Sequence, residues 1–349
     1  CSIECDFLKL LHLSGRTRGK TWVALFKDEI KQENPNAVKR HPVNLLDIIF
    51  VVIAHASKKQ TARLGNLLGD VAYVVDTRHR RIVGRNLEFT FPQWPEAERR
   101  RINRHAFRNA ATTLLELCQT RLLSRQGVLQ RLRIKGEENL KNVFTDPGGA
   151  IMISAHLGNW EMAHLAVSCY GKRPIVLVAR RVRPEFINEA LNRLRNRFGS
   201  VLINKKKALP KMARSLKKGK ILGLLIDQEP KHSRGVDVTF FGKPTTITPG
   251  PALLARRYGS PVLPVFCVRE KDGSLTLVVE PPIQAVRTNH SDSDLRQNTQ
   301  AMTSAIERAI RAYPDQWFWF HKRWKHHFPH LYKEDLDRLK RRRAKRRKA

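Results

Sequence analysis

Apolar residues recur at helical spacing between about residues 43 and 133. Leu64, Leu67, Leu68 and Val71 form one such stripe, and Ala110, Leu114, Leu117 and Cys118 form another. Pro92 and Pro95 interrupt the pattern between them. From 143 to 282 the pattern changes. Short apolar runs at 150–154, 175–179, 201–203, 221–226, 262–268 and 275–279 alternate with helical stretches such as 184–198 and 209–218. This alternation predicts an α/β fold, a central mixed sheet flanked by helices, preceded by an N-terminal helical region. A last helix over about 295–312 leads into an aromatic block at 317–324. We divide the chain into a polar, poorly ordered extension (1–40), a main domain (41–328, mainly helical to 140 and α/β from 141) and a basic tail (329–349).

Charge changes this picture. The chain of 349 residues carries 66 Lys and Arg against 31 Asp and Glu, a formal net charge of +35. Such an excess implies anionic partners: an acidic lipid, an acidic carrier protein or nucleic acid. A nucleic-acid-binding protein would carry a recognisable module, such as aromatic RNP motifs or a helix-turn-helix, and the sequence contains none, so no nucleic-acid partner is expected. No apolar run reaches the roughly 18 residues of a spanning helix. Residues 42–56 come nearest, interrupted by Asn44, Asp47 and His55 and bordered by Lys58 and Lys59, which suits a membrane-associating helix lying in the interface. The five cysteines are scattered and form no CxxC pair, which argues for reduced thiols in the cytosol. His326, His327 and His330 cluster without zinc-ligand spacing, and no metal site is expected.

The candidate chemistry lies at Ser154-Ala155-His156-Leu157-Gly158-Asn159-Trp160-Glu161, where a short buried strand turns into a helix. An imidazole titrates near neutrality and takes a proton from an alcohol at physiological pH. A carboxylate on its other ring nitrogen fixes the tautomer and stabilises the imidazolium. His156 is the candidate base and Glu161 its orienting partner, with Gly158 and Asn159 supplying the tight turn between them. Asp227 and Gln228 follow the apolar run 221–226. Strand C-terminal ends are where open α/β sheets build their sites, so this pair either orients a substrate or braces the site loop. Gly242, Thr248, Gly250 and Pro251 read as loop-shaping residues, and the helix opened by Gly250-Pro251 presents N-terminal amides suited to a phosphate.

The stretch from His156 to Glu161 resembles the HX4(D/E) signature of the bacterial lipid A late acyltransferases, the lauroyl/myristoyl branch of the lysophospholipid acyltransferase superfamily. Ile226-Asp227-Gln228-Glu229-Pro230 resembles the family's Asp-Gln-Asp/Glu block. Phe240-Phe241-Gly242-Lys243-Pro244 with Thr248-Pro249-Gly250-Pro251-Ala252, and the segment 314–325, resemble two further blocks in the same order. The resemblance runs from about residue 43 to about residue 328. It implies transfer of a fatty acyl group from acyl carrier protein, or from coenzyme A, to a hydroxyl of an acidic glycolipid such as a lipid A precursor. It implies no cofactor beyond that thioester co-substrate, and it places the protein on the cytoplasmic face of the bacterial inner membrane. It also places an arginine after the strand 175–179, here Arg180, as a ligand for the oxyanion or a substrate phosphate. A glycerolipid or mannolipid acceptor within the same superfamily fits the same residues.

Overall fold

Each of the six apolar runs expected to be a strand is one. The computed structural model describes residues 53–171, 173–179, 181, 185–205, 208–230 and 235–333. The chain divides into two compact units, Cys1–Ala56 and Ser57–Ala349, and the second carries the fold. The expected extension 1–40, nearly all of the interfacial segment 42–56, most of the basic tail and Arg180 lie outside the described residues.

Three helices come first: α1 (Lys58–Val75), α2 (Thr77–Thr90) and α3 (Glu96–Gln119). A reciprocal capping box between Ser57 and Gln60 starts α1, and the Asp76 side chain caps α2. There follow α4 (Arg125–Gln130), β1 (Leu132–Lys135), α5 (Glu137–Thr145), β2 (Ala150–Ser154), α6 (Trp160–Tyr170), β3 (Ile175–Ala179), α7 (Glu185–Asn196), β4 (Val201–Asn204), α8 (Ala208–Lys217) and β5 (Ile221–Leu225). The hairpin β6 (Val236–Phe240) and β7 (Lys243–Ile247) precedes α9 (Gly250–Tyr258), β8 (Val262–Arg269), β9 (Leu275–Val279) and α10 (Ser291–Ala312).

Seven strands form one sheet in the order β1-β9-β8-β2-β5-β3-β4. The five from β8 to β4 run parallel; β9 pairs antiparallel with β8, and β1 parallel with β9, so the sheet is mixed. Strands buried on both faces read as unbroken apolar runs, which is why β2 is buried at all five positions. Their side chains still alternate between two cores. Ile151, Ile153, Leu222 and Phe266 face one core with Met302 and Ile306 of α10, while Ala150, Met152, Leu263 and Val265 face the other with Met162 and Leu165 of α6. Each fully buried Ile or Leu contributes about 1.5–3 kcal/mol.

Three strands were not legible as strands. β1 is a four-residue edge strand with charged side chains at alternate positions, too short for a clear pattern. β6 and β7 occupy the segment read as loop. Their two-residue turn, Phe241-Gly242, has positive φ at both positions, as the tight hairpin turns of twisted sheets require.

Helix α1 exists where its periodicity placed it, but its leucine stripe is not the face that packs. Thr61, Gly65 and Gly69 are buried against α3 instead. A Cβ on Gly65 would lie 2.2 Å from the Thr112 hydroxyl, and one on Gly69 would lie 2.4 Å from the Arg108 Cα. The small residues set the interhelical distance and turn the leucines outward.

Candidate active site

The register of the two central strands builds the site. β2 pairs with β5 so that Ser154 lies beside Leu225. Continued two residues past the strand ends, this register sets His156 beside Asp227. The chain there stays paired, since the Ile226 amide donates to the Ser154 carbonyl at 3.1 Å. His156 and Asp227 then meet twice: the His156 amide donates to Oδ2 at 3.0 Å, and the ring Nδ1 lies 2.8 Å from Oδ1. The Trp317 indole N–H donates to the same carboxylate at 2.9 Å. Asp227 is wholly buried. Burial would raise its pKa, but the His156 ring and its hydrogen bonds outweigh this and hold it well below the ordinary carboxylate value. An ionised carboxylate only accepts, so Nδ1 carries the proton and Nε2 is left with its lone pair.

His156 itself is pulled two ways. Burial disfavours the imidazolium, while the Asp227 charge and hydrogen bond favour it, and the net result is a pKa above the usual imidazole value. Gln228, the next residue after Asp227, places its carboxamide nitrogen 3.2 Å from His156 Nε2 and 2.6 Å from His321 Nε2. Burial pushes His321 down to about 4 against the pull of Asp227, so its ring is neutral and accepts from Gln228.

Glu161 stands elsewhere. The sequence made it the partner of His156; the structure gives His156 Nδ1 to Asp227, and the Glu161 carboxylate instead grips Arg195 of α7 with both oxygens, one at 2.9 Å from Nε. The reason is local. Glu161 is the second residue of α6, and its side chain meets the guanidinium that α7 presents. Burial would raise its pKa, but Arg195 lowers it, so Glu161 is ionised. Its charge still adds to the raised pKa of His156 from a distance. His164, one turn on, sits with Nδ1 3.9 Å from Glu161, and burial pushes it down to about 4.

Asn159 caps α6, its Oδ1 accepting from the Met162 amide at 2.8 Å and its Nδ2 donating to Glu116 at 2.7 Å. Gly158 adopts φ +58° with its carbonyl held by Asn109 and Thr113 of α3, and a Cβ there would lie 2.1 Å from the Cys267 carbonyl oxygen. The C-terminal aromatic segment closes the loop from the other side: Gly158 donates to the Gln316 carbonyl at 3.0 Å, and Phe318 donates to the His156 carbonyl at 2.8 Å. A cavity of about 310 Å³ lies between the sheet and α6, lined by His156, Glu161, Gln228 and Thr248 and by the apolar Met152, Leu177 and Leu224. Gly242 forms the hairpin turn and Gly250 begins α9, so both shape the backbone and neither lines the cavity. Among the described residues no cluster of His, Cys, Asp and Glu is arranged to hold a metal ion.

Sequence reasoning missed Trp317, His321 and Arg195. The first two stand in the aromatic block, where nothing in the sequence tied their polar tips to His156 or Asp227. Arg195 is one basic residue among many and had no local signal.

A sequence profile described as bacterial lipid A biosynthesis acyltransferase matches residues 37–326. The chain is 26% identical over 266 residues to the lipid A biosynthesis lauroyltransferase of Escherichia coli K12, covering 75% of this chain and 84% of that protein. It is 25% identical to the lipid A biosynthesis palmitoleoyltransferase of the same organism, over the same shares of the two chains. It is also 30% identical over 181 residues to a phosphatidylinositol mannoside acyltransferase of Mycolicibacterium smegmatis, covering 50% of this chain and 57% of that protein. With a profile match spanning most of its length, and an imidazole–carboxylate pair whose ring lines the cavity, the chain belongs to the bacterial lipid A biosynthesis acyltransferase family.

Proposed function

We propose that this acyltransferase moves a fatty acyl group from the thioester of acyl carrier protein, or of coenzyme A, to a hydroxyl of an acidic glycolipid, a lipid A precursor by family. One observation carries the reading: His156 Nδ1 is held by a buried carboxylate at 2.8 Å while the ring lines a cavity whose walls include Met152, Leu177 and Leu224. The acceptor hydroxyl attacks the thioester carbonyl as its proton passes to His156 Nε2. The tetrahedral intermediate then collapses, the carbon–sulfur bond breaks, and the departing thiolate takes that proton from the imidazolium. Asp227 stabilises the imidazolium throughout. As Nε2 takes up the proton, the Gln228 N–H that faced it is released to the oxyanion, while its other N–H stays on His321. Glu161 contributes its charge and braces α6 against α7. Arg180 is the proposed ligand for a substrate phosphate.

The basic surface supports both an acidic carrier protein and an anionic membrane as partners, and the reading places the enzyme peripherally on the cytoplasmic face of the inner membrane. Among the described residues no helix is long and apolar enough to cross a membrane. The relatives named for lipid A and for phosphatidylinositol mannoside acylation support an acidic glycolipid as the shared acceptor class. Replacing His156 with Ala tests the chemistry. Removing a general base lowers the rate by about 10²–10⁴-fold, and wild-type turnover by the folded variant in an assay with acyl carrier protein thioester would refute it. Mass spectrometry of lipids from cells with and without the gene identifies the acceptor.

A further inference from the structure

Among the described residues, α1 carries six of the exposed large apolar side chains on one outward stripe. Leu64, Leu67, Leu68, Val71, Val74 and Val75 follow helical spacing, and Leu67, Val74 and Val75 are 60%, 64% and 75% exposed. Single exposed leucines need no explanation, but a continuous stripe on one helix does. It is not an accident of a loosely packed helix, because Gly65 and Gly69 leave no room on the other face for anything larger. The helix is built to hold these side chains away from the protein.

The charge around the stripe says what covers it. Lys58, Lys59 and Arg63 are exposed at its N-terminal end. The one acidic side chain of α1, Asp70, is bound by both Arg104 and Arg108 of α3, each in two hydrogen bonds of 2.6–2.7 Å. An apolar stripe with a cationic border fits a surface that is apolar within and anionic at its rim, which is a bilayer of acidic lipids.

The stripe is also connected to the site. The face of α3 that receives α1 carries Arg108 and Thr112, and its neighbours Asn109 and Thr113 hold the Gly158 carbonyl, two residues from His156. A chain of rings runs the same way: Tyr73 of α1 packs on Phe107 at 5.6 Å, Phe107 on Phe320 at 4.6 Å, Phe320 on Phe318 at 4.5 Å, and Phe318 on His156 at 6.0 Å.

We infer that the exposed face of α1 inserts its leucines and valines into an anionic lipid surface and so seats the His156 site one helix away from the bilayer. The inference rests on the peripheral-membrane reading above and names the surface that makes the contact.

Two experiments on the full chain test it. The first uses vesicles of phosphatidylethanolamine and phosphatidylglycerol that carry a photoactivatable lipid. Trypsin cuts after Arg63 and Arg78, so the stripe falls in one peptide, 64–78. Lipid adducts on that peptide are expected; adducts confined to other peptides, including any from residues 1–52, overturn the inference. The second compares Leu67→Glu/Val71→Glu with a control, Leu209→Glu/Leu253→Glu, at leucines of lesser exposure on α8 and α9. The α1 variant should partition into the vesicles at least tenfold more weakly, with unchanged melting temperature and unchanged activity on detergent-dispersed substrate, while the control binds as wild type does. Equal binding by both variants overturns the inference and leaves the membrane reading standing. A wild-type protein that ignores the vesicles overturns both. A wild-type dimer that the α1 variant dissolves also overturns the inference, because a second copy then covers the stripe.

Discussion

Asp227 and Glu161 are both buried and both ionised, and the charge of each raises the pKa of the same imidazole, yet they meet different partners. Asp227 sits two residues past the end of β5 and meets a ring that, in the proposed mechanism, gains a proton. Glu161 sits in the first turn of α6 and meets a guanidinium whose charge never changes. A carboxylate facing a titrating partner shapes chemistry, whereas one facing a permanent charge fixes the scaffold. The spacing of five residues from His156 to Glu161 suggests a pair, but contact is decided by which strands are neighbours.

The sharpest way to break this contrast is Asp227→Asn. The amide keeps the size of the carboxylate, but its NH2 can donate to Nδ1 and so favour the wrong tautomer; turnover should fall by about 10²–10⁴-fold. Glu161→Gln should act mainly on stability. It leaves Arg195 charged and largely buried without its partner, at a cost of about 3 kcal/mol in denaturant unfolding, with a loss of about tenfold or less in turnover. The double variant Glu161→Met/Arg195→Met should recover most of that stability, because both charges leave together. If Glu161→Gln instead costs as much turnover as Asp227→Asn, the division between the two carboxylates is wrong.

Gly158→Ala probes the loop between the two carboxylates. Its φ of +58° and the Cys267 carbonyl 2.1 Å from the new Cβ predict a loss of more than about 1 kcal/mol, together with reduced turnover as His156 shifts.

The pH dependence separates the carboxylates more finely. His156 acts as a base only when neutral, and its pKa is raised, so the acid limb of kcat/KM should lie above the ordinary imidazole value. In Asp227→Asn that limb should move down. Stability runs the other way. The raised pKa of His156 contributes stability that is fully present below the unfolded imidazole value and is lost as pH rises through the folded one. Asp227, with its lowered pKa, contributes stability above its unfolded value of 3.8, and this is lost as the pH falls. A third carboxylate titrates in a window of its own. Burial raises Glu229 from 4.5 to about 7 against the pull of Arg323 and Lys325. The folded protein therefore holds a proton that the unfolded chain releases, and stability falls as pH rises across that window. Melting curves of Glu229→Gln should lack this slope.

Much of the site was legible because its chemistry follows the ends of apolar strands. His156 and the pair Asp227-Gln228 stood out for that reason. What the sequence did not show was that the two strands are neighbours, since His156 and Asp227 are 71 residues apart and register is not written in either strand alone. The alternation of strands and helices made the sheet readable, while β6 and β7 escaped because Phe241-Gly242 looks like a loop until its φ angles are known. In α1 periodicity located the helix but misled about its face. Two glycines outweighed six leucines and valines in deciding what packs.

The clasp that residues 316–321 place on the loop at 156–158 has a consequence for how the enzyme comes into being. During synthesis β2 and β5 leave the ribosome well before Trp317 and His321, so for that interval the strands lack the indole that donates to Asp227 and the ring that accepts from Gln228. The nascent chain holds its base and its carboxylate but not the segment that fixes them. The proposed centre is therefore completed only after segment 316–321 has joined the sheet. A ribosome stalled before the Trp317 codon should display a sheet without this clasp, so that Asp227 lacks its indole donor and Gln228 its acceptor.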